Sequence, residues 1–446
     1  MNNSQRLGKE NILKLIITMS IPGIVSMGMQ ALYNVVDSIF VGRLGEMELS
    51  ALSIAFPLQM VLIAIGVGTG VGTSSVISRY LGEGQDEKAE KVSNNVVLLS
   101  ILYGTIFGYL GLFHTRDIMS IFTDNPELIE MSTRYSSIIL TASIAIFIPM
   151  ISNNILRGQG NTFLPMISML IGSIINIILD PIMIYGLMGF PRMGIEGAAY
   201  ATVIARIFSG TFIILKVISG KNHINVSLKK LRINYKVLTP VFQVGLPAMI
   251  MQLLASVMIA GMNKIVGSMS LVAIGSLGIY FRLQSFVFMP VFGLNQAYMP
   301  IIGYNFGAHK FDRMKEAIKY AMIIAFIFTA SGFLLFQLAS KQLIELFNSS
   351  PELKAVGIPM LKRASLMYPI VGPAIIGSVT FQGIGKGMPS LLLSILRQIV
   401  ILLPVCYLFS LTGNVDNVWY CFPISDIAAT VITFIWLRRT LGKLEI

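Results

Sequence analysis

Residues 21–45 read IPGIVSMGMQALYNVVDSIFVGRLG. The stretch is apolar nearly throughout, yet it holds Gln30, Tyr33, Asn34 and Asp37. It exceeds the roughly 20 residues that a helix needs to cross the hydrocarbon of a bilayer. A carboxylate in the middle of such a helix costs about 2.5–3.5 kcal/mol on insertion scales, so it faces a cavity or a partner rather than lipid. Whether Asp37 is tolerable depends on whether the segment lies in a membrane.

The rest of the chain says that it does. Mean hydropathy is +0.76, with 54% hydrophobic and only 12% charged residues, against about 25% charged in soluble domains. Twelve candidate spans follow one another, at about 12–37, 49–73, 93–113, 133–155, 163–186, 196–218, 240–264, 272–298, 316–338, 358–380, 389–411 and 417–437. Ten-residue alternating segments of a β-barrel are not seen, so the expected fold is an all-α polytopic membrane protein. The polar N-terminus leads directly into the first span with no small-residue cleavage site, and that span is expected to be retained.

Charge sets the orientation. With the N-terminus inside, 21 of the 33 Lys and Arg fall on the inside, nine outside, and Arg206, Arg282 and Arg397 within spans. Cytoplasmic loops carry the excess of Lys and Arg, so both termini are expected in the cytoplasm. The net charge of +12 then reflects loop topology, and no nucleic-acid partner is expected. The basic segment 219–239 divides residues 1–218 from residues 240–446, as a cytoplasmic linker between two lobes.

The two parts match each other. A shift of 225 places Pro22 on Pro247, Val41-Gly42 on Val266-Gly267, Phe56 on Phe281, Gln59 on Gln284 and Gly82 on Gly307. It also places Pro126-Glu127-Leu128 on Pro351-Glu352-Leu353, and Gly158 and Gly160 on Gly383 and Gly385. Six spans per copy make the repeats parallel, as in secondary transporters with two rocking lobes. Pro22 and Pro247 mark the first helix of each lobe as a candidate to bend.

The copies differ where chemistry is expected. Asp37 aligns with Met262, Asp180 with Val405, Asn176 with Ile401 and Tyr135 with Met360. The scaffold therefore does not require these polar groups. Gln30, Asn34 and Asp37 have i, i+4, i+7 spacing, and Asn176 and Asp180 have i, i+4 spacing, so each set shares a helix face. Together they describe a polar cavity in the first lobe only. The bland alternative is hydrogen bonding between helices. Arg206, Arg282 and Arg397 could neutralise a buried acid, and Asp426 is expected near an interface.

Enzyme chemistry finds no footing. His114, His223 and His309 form no ligand cluster, and Cys406 and Cys421 form no framework. No Walker A loop, GxSxG or nucleophile–base set is present. GVGTGVG (66–72) lies inside a span, where small residues permit close packing. Without a nucleotide site, an ion gradient is expected to supply the energy, with no cofactor beyond H⁺ or Na⁺.

The segments SIPGIVSMGMQALYNVVDSIFVGRLG (20–45), ALSIAFP (51–57), ILRGQGNT (155–162), NIILDP (176–181), GIEGAAYATVIAR (194–206), PIIGYNFGA (300–308) and FQGIGKG (381–387) resemble the MATE (multidrug and toxic compound extrusion) family, and its MepA-like bacterial branch most of all. The resemblance implies an inverted V of two six-helix lobes in a bacterial plasma membrane, exporting organic cations in exchange for Na⁺ or H⁺. The exporter is expected to function as a monomer. It maps an ion or proton site, including a candidate Na⁺ site, onto Asp37, Asn176, Asp180 and Thr202. Tyr135 and Asn153 or Asn154 would stand nearby, with Gln30 and Asn34 lining the same cavity. Some relatives place acids on the spans equivalent to 240–264 and 358–380; this chain has none there.

Substrate breadth has a physical basis in the 26 Met and 26 Phe, which offer adaptable surface and aromatic faces. Met27 lies on the span that carries Asp37. The runner-up function is a lipid-linked oligosaccharide flippase of the same broad plan, which would need several cations converging on the cavity.

Overall fold

The computed structural model of the chain describes residues 3–219, 223–224, 226–227, 233–347 and 350–444. Lys221, Lys229, Lys230 and Arg232 of the expected linker lie outside the described residues. Among the described residues, seven helices of more than ten residues form the first half: α1 (Ile12–Gly42), α2 (Glu46–Gly82), α3 (Asp86–Phe113), α4 (Pro126–Thr141), α5 (Ile144–Gly158), α6 (Phe163–Tyr185) and α7 (Ile195–Ile218). Seven form the second: α8 (Tyr235–Gly267), α9 (Leu271–Gly307), α10 (Phe311–Leu338), α11 (Pro351–Ala364), α12 (Tyr368–Gly383), α13 (Gly387–Ser410) and α14 (Cys421–Gly442). The last five residues of the expected linker, 235–239, are already helical in α8.

The repeat is visible in these bounds. α2 and α9 differ by 225 at both ends, as do α3 and α10. Among the described residues, ten helices are long and apolar enough to cross a membrane, and α4 with α5 and α11 with α12 complete twelve spans as bent pairs. The chain is a multi-pass membrane protein in two related six-span halves.

The bent pairs correct two expected spans. The segments expected at 133–155 and 358–380 each break, by 49° and 53°, and start seven residues earlier. The repeated Pro-Glu-Leu explains the early start. Asn125 and Ser350 cap the helices, accepting from the Leu128 and Leu353 amides, and proline fits the first turn, where no amide donor is needed. By contrast, α1 and α8 run through Pro22 and Pro247 as continuous helices.

The halves meet through glycine, under an approximate two-fold axis. α1 packs on α9 and α8 on α2. A Cβ on Gly82 would stand 2.1 Å from the Tyr304 carbonyl oxygen, and one on Gly307 2.2 Å from that of Arg79, the repeat equivalent of Tyr304. Gly68 meets Met249 and Gly245, and its equivalent Gly293 meets Ile24 and Gly23. The GVGTGVG run divides its glycines between neighbours: Gly66 and Gly70 face Met150 and Asn154 on α5, while Gly68 and Gly72 face α8. Cys406 and Cys421 are buried and unbridged.

All these close contacts sit toward one end. Gly28 and Gly42, farther along α1, have no neighbour within 4 Å. The short helix Asn3–Lys9 reinforces the closed end: Asn305 Nδ2, Lys310 Nζ and Arg313 Nη2 donate to the carbonyls of Leu7, Gly8 and Glu10 at 3.0, 2.8 and 2.6 Å. The halves thus close at the end that carries the N-terminus and diverge toward the other.

Candidate functional site

Above the closed end, a cavity of about 700 Å³ separates the halves. α1, α2, α5, α6 and α7 line it on one side and α8, α9, α12, α13 and α14 on the other. Its wall is mostly apolar with interspersed amides, the usual make-up of a small-molecule site. Five methionines contribute (Met27, Met150, Met169, Met251 and Met299), but Tyr33 and Phe292 are the only aromatic side chains. The methionine expectation is thus met at the wall, while most phenylalanines lie elsewhere.

Of the expected residues, Met27, Gln30, Asn153, Asn154, Asn176 and Thr202 line the cavity. Asn34 does not: it is exposed, farther along α1 where the halves have parted. Tyr135 is buried behind the wall and accepts a hydrogen bond from Gln59 Nε2 at 3.0 Å. Asp37 and Asp180 are not among the lining residues. The shared face of Gln30, Asn34 and Asp37 is therefore spread over three environments, because α1 leaves its partner helix midway.

The acids nevertheless belong to one cluster. Asn176 Nδ2 donates to Asp180 Oδ1 at 3.2 Å and to Thr202 Oγ1 at 3.4 Å. Asp37, Asp180, Tyr33 and Tyr135 are electrostatic neighbours, and Arg206 acts on Tyr33. Three buried oxygens, Asp37 Oδ1, Asn176 Oδ1 and Asp180 Oδ2, have no donor among the described residues. An unmet buried acceptor costs about 1–3 kcal/mol. Clustered oxygen acceptors without donors suit a hard cation or a proton. Among the described residues no group of three or more His, Cys, Asp or Glu forms a metal cluster, so a cation here would rely on the Asn and Thr oxygens as well.

The second half carries a different arrangement. Arg397 Nε donates to Asp426 Oδ1 at 2.7 Å, and the Asp426 side chain is 3% exposed. Both line the cavity, which corrects the interfacial placement of Asp426. Arg397 lies in a π-helical stretch, Leu396–Leu402, just before Pro404, whose missing amide frees a carbonyl and lets the helix widen. Arg282 is exposed and away from the cavity.

Several polar lining residues escaped the sequence reading, among them Gln252, Asn295, Gln296 and Gln398. Arg157, counted there as a loop cation, ends α5 and lines the cavity. Its i, i+4 and i, i+3 relation to Asn153 and Asn154 was the available signal.

Comparison with known proteins places this geometry. The family model MatE matches residues 22–182 and 247–408. The multidrug export protein MepA of Staphylococcus saprophyticus is 28% identical over 98% of this chain and 97% of its own. Among solved structures, an outward-facing multidrug resistance MATE family transporter superposes with a TM-score of 0.94 at 28% identity, covering 100% of this chain and 99% of that one. A MOP superfamily transporter from Pyrococcus furiosus, described as having a binding pocket of reverse polarity, superposes with a TM-score of 0.92 at 28% identity, covering 99% and 98%.

Proposed function

The chain belongs to the MatE family, and we propose that it exports small amphipathic organic compounds in exchange for H⁺ or Na⁺ by alternating access. The observation that carries this reading is the donor-poor oxygen cluster of Asp37, Asn176, Asp180 and Thr202, whose Asn176 and Thr202 line the wall of a drug-sized cavity. An ion arriving there supplies the positive charge that three unmet oxygens lack. It favours one arrangement of the halves, and substrate favours another. Linkage then makes each lower the other's affinity by the same factor. No cofactor beyond the coupling ion is required, and a monomer contains the whole site.

The conformation fits one half of such a cycle. With both termini in a bacterial cytoplasm, the closed end faces inside and the cavity opens outward. This state would release substrate and load the ion. The cavity volume of about 700 Å³ suits a drug-sized molecule and disfavours a lipid-linked oligosaccharide. Organic cations are the class that the resemblance implies.

Dye efflux from proteoliposomes tests the reading, with a cationic and an anionic dye assayed separately under imposed pH and Na⁺ gradients. Efflux driven by one gradient in the parent and by neither in Asp37→Asn is expected. Efflux as fast in Asp37→Asn as in the parent would refute the coupling site.

A further inference from the structure

Among the described residues, Asp426 is the one acid on the cavity wall. Arg397 of α13 holds it through a single bond, Nε to Oδ1 at 2.7 Å. The guanidinium fork is otherwise unused: Arg397 Nη1 and Nη2, and Asp426 Oδ2, have no hydrogen-bond partner among the described residues. The Arg397 side chain is 31% exposed and that of Asp426 3%. The cation is thus the cavity-side partner of the pair, with most of its donors open to cavity water.

The scaffold does not ask for this pair. A shift of 225 places Arg397 on Gly172 and Asp426 on Ala201. Ionisable residues at membrane depth are expensive and mark functional sites by default. The π-helical stretch Leu396–Leu402 widens the helix where both Arg397 and its neighbour Gln398 meet the cavity, and such stretches recur at functional sites. Gln398 Oε1 is buried and has no donor among the described residues.

We infer, resting on the exporter reading, that Arg397 keeps the place of the substrate's charged head. A cation bearing N–H donors, such as a protonated amine or an amidinium, displaces it from Asp426, with Gln398 Oε1 as a further acceptor on the same turn. Exchange of one cation for another never leaves the buried carboxylate unpaired, the state that costs most. Only an N–H reproduces the bond that Arg397 makes; a fully alkylated cation brings charge without a donor. The subsite therefore sorts organic cations by their donors.

The test uses rhodamine 123 and tetramethylrhodamine methyl ester. They share a xanthene core and one positive charge, and methylation removes the N–H donors from the second. Binding to the full-length purified protein is read by fluorescence anisotropy, and efflux is then read from proteoliposomes. Asp426→Asn is expected to weaken rhodamine 123 about tenfold and the methylated dye by about threefold at most. Arg397→Met removes the resident cation and is expected to tighten rhodamine 123 about tenfold. A pair with only a structural role would move both variants in the same direction. The double variant, which lacks the unpaired charge, should bind rhodamine 123 as weakly as Asp426→Asn does, which separates the subsite from a folding defect. Arg282→Gln, outside the cavity, should alter neither dye. Unchanged rhodamine 123 affinity in Asp426→Asn, equal losses of the two dyes there, weaker binding in Arg397→Met, or binding of neither dye overturns the proposal. The expected variant pattern in binding without efflux of either dye keeps the subsite and overturns the exporter reading instead.

Discussion

The glycines that join the halves give the sharpest prediction. In Gly82→Ala, the new Cβ would lie 2.1 Å from the Tyr304 carbonyl oxygen and 2.9 Å from the Ala308 nitrogen, where ordinary contact starts at 3.4 Å. The obstacle is backbone, so relief requires α2 and α9 to separate by about 1.3 Å at this point, the difference between 3.4 and 2.1. Overpacking of this kind costs about 1–3 kcal/mol. The strain falls on the state closed at this end, so the balance should move toward the oppositely open state by roughly 5- to 150-fold, at about 1.4 kcal/mol per factor of ten. Spin labels at Glu87→Cys and Asp312→Cys, both exposed beyond the closed end, would report it by pulsed dipolar spectroscopy once Cys406 and Cys421 are replaced by serine. A longer distance should gain population in Gly82→Ala. Because the contact is repeated by the two-fold axis, Gly307→Ala should do the same to a similar degree. Gly42→Ala, also at a helix end but with no neighbour within 4 Å, should not. Unchanged distances in both variants, or an equal change in the Gly42 control, would refute the claim that these contacts hold the closed state.

Two further outcomes are expected. If the oxygen cluster takes Na⁺, added NaCl should raise the melting temperature of the parent above that in choline chloride, and Asn176→Ala and Thr202→Ala should abolish the difference; no Na⁺ effect in the parent would leave H⁺ as the coupling ion. Asp426→Asn should destabilise by about 3 kcal/mol in thermal unfolding, the lower end for a broken buried pair because Arg397 is 31% exposed, and Arg397→Met in the same chain should recover most of it; an Asp426→Asn variant as stable as the parent would sink this view of the pair.

What the sequence made legible follows from where the information resides. Asp37, Asn176 and Asp180 stood out because they break an apolar pattern and vanish in the second copy, and the structure joins Asn176, Asp180 and Thr202 by direct hydrogen bonds. The breaks at 142–143 and 365–367 were hidden, because hydropathy averages over a bend that keeps both arms apolar. The Arg397–Asp426 pair was hidden because its members lie on different spans and only tertiary packing unites them. Arg157 was misread for a related reason: a cation at a helix end looks the same in sequence whether it meets bulk water or a cavity. Asn34 kept its helical face but not its neighbours, since the divergence of the halves is not a property of α1 alone.

The asymmetry between the halves bears on how exchange would work. The scaffold obeys the repeat down to the paired glycine contacts, while the charges do not. The first half carries Asp37 and Asp180, whereas the charged cavity-lining residues described in the second half are the neutralised Arg397–Asp426 pair. A loaded ion and a cationic substrate at about 10 Å repel by about 1.7 kcal/mol at an effective dielectric near 20. Direct repulsion of that size lowers one affinity by less than twentyfold at about 1.4 kcal/mol per factor of ten. Tighter exclusion must come from the halves themselves: ion and substrate need to prefer opposite positions of the glycine-lined interface. The glycine contacts are close enough for a single methyl group to shift that preference by a comparable amount.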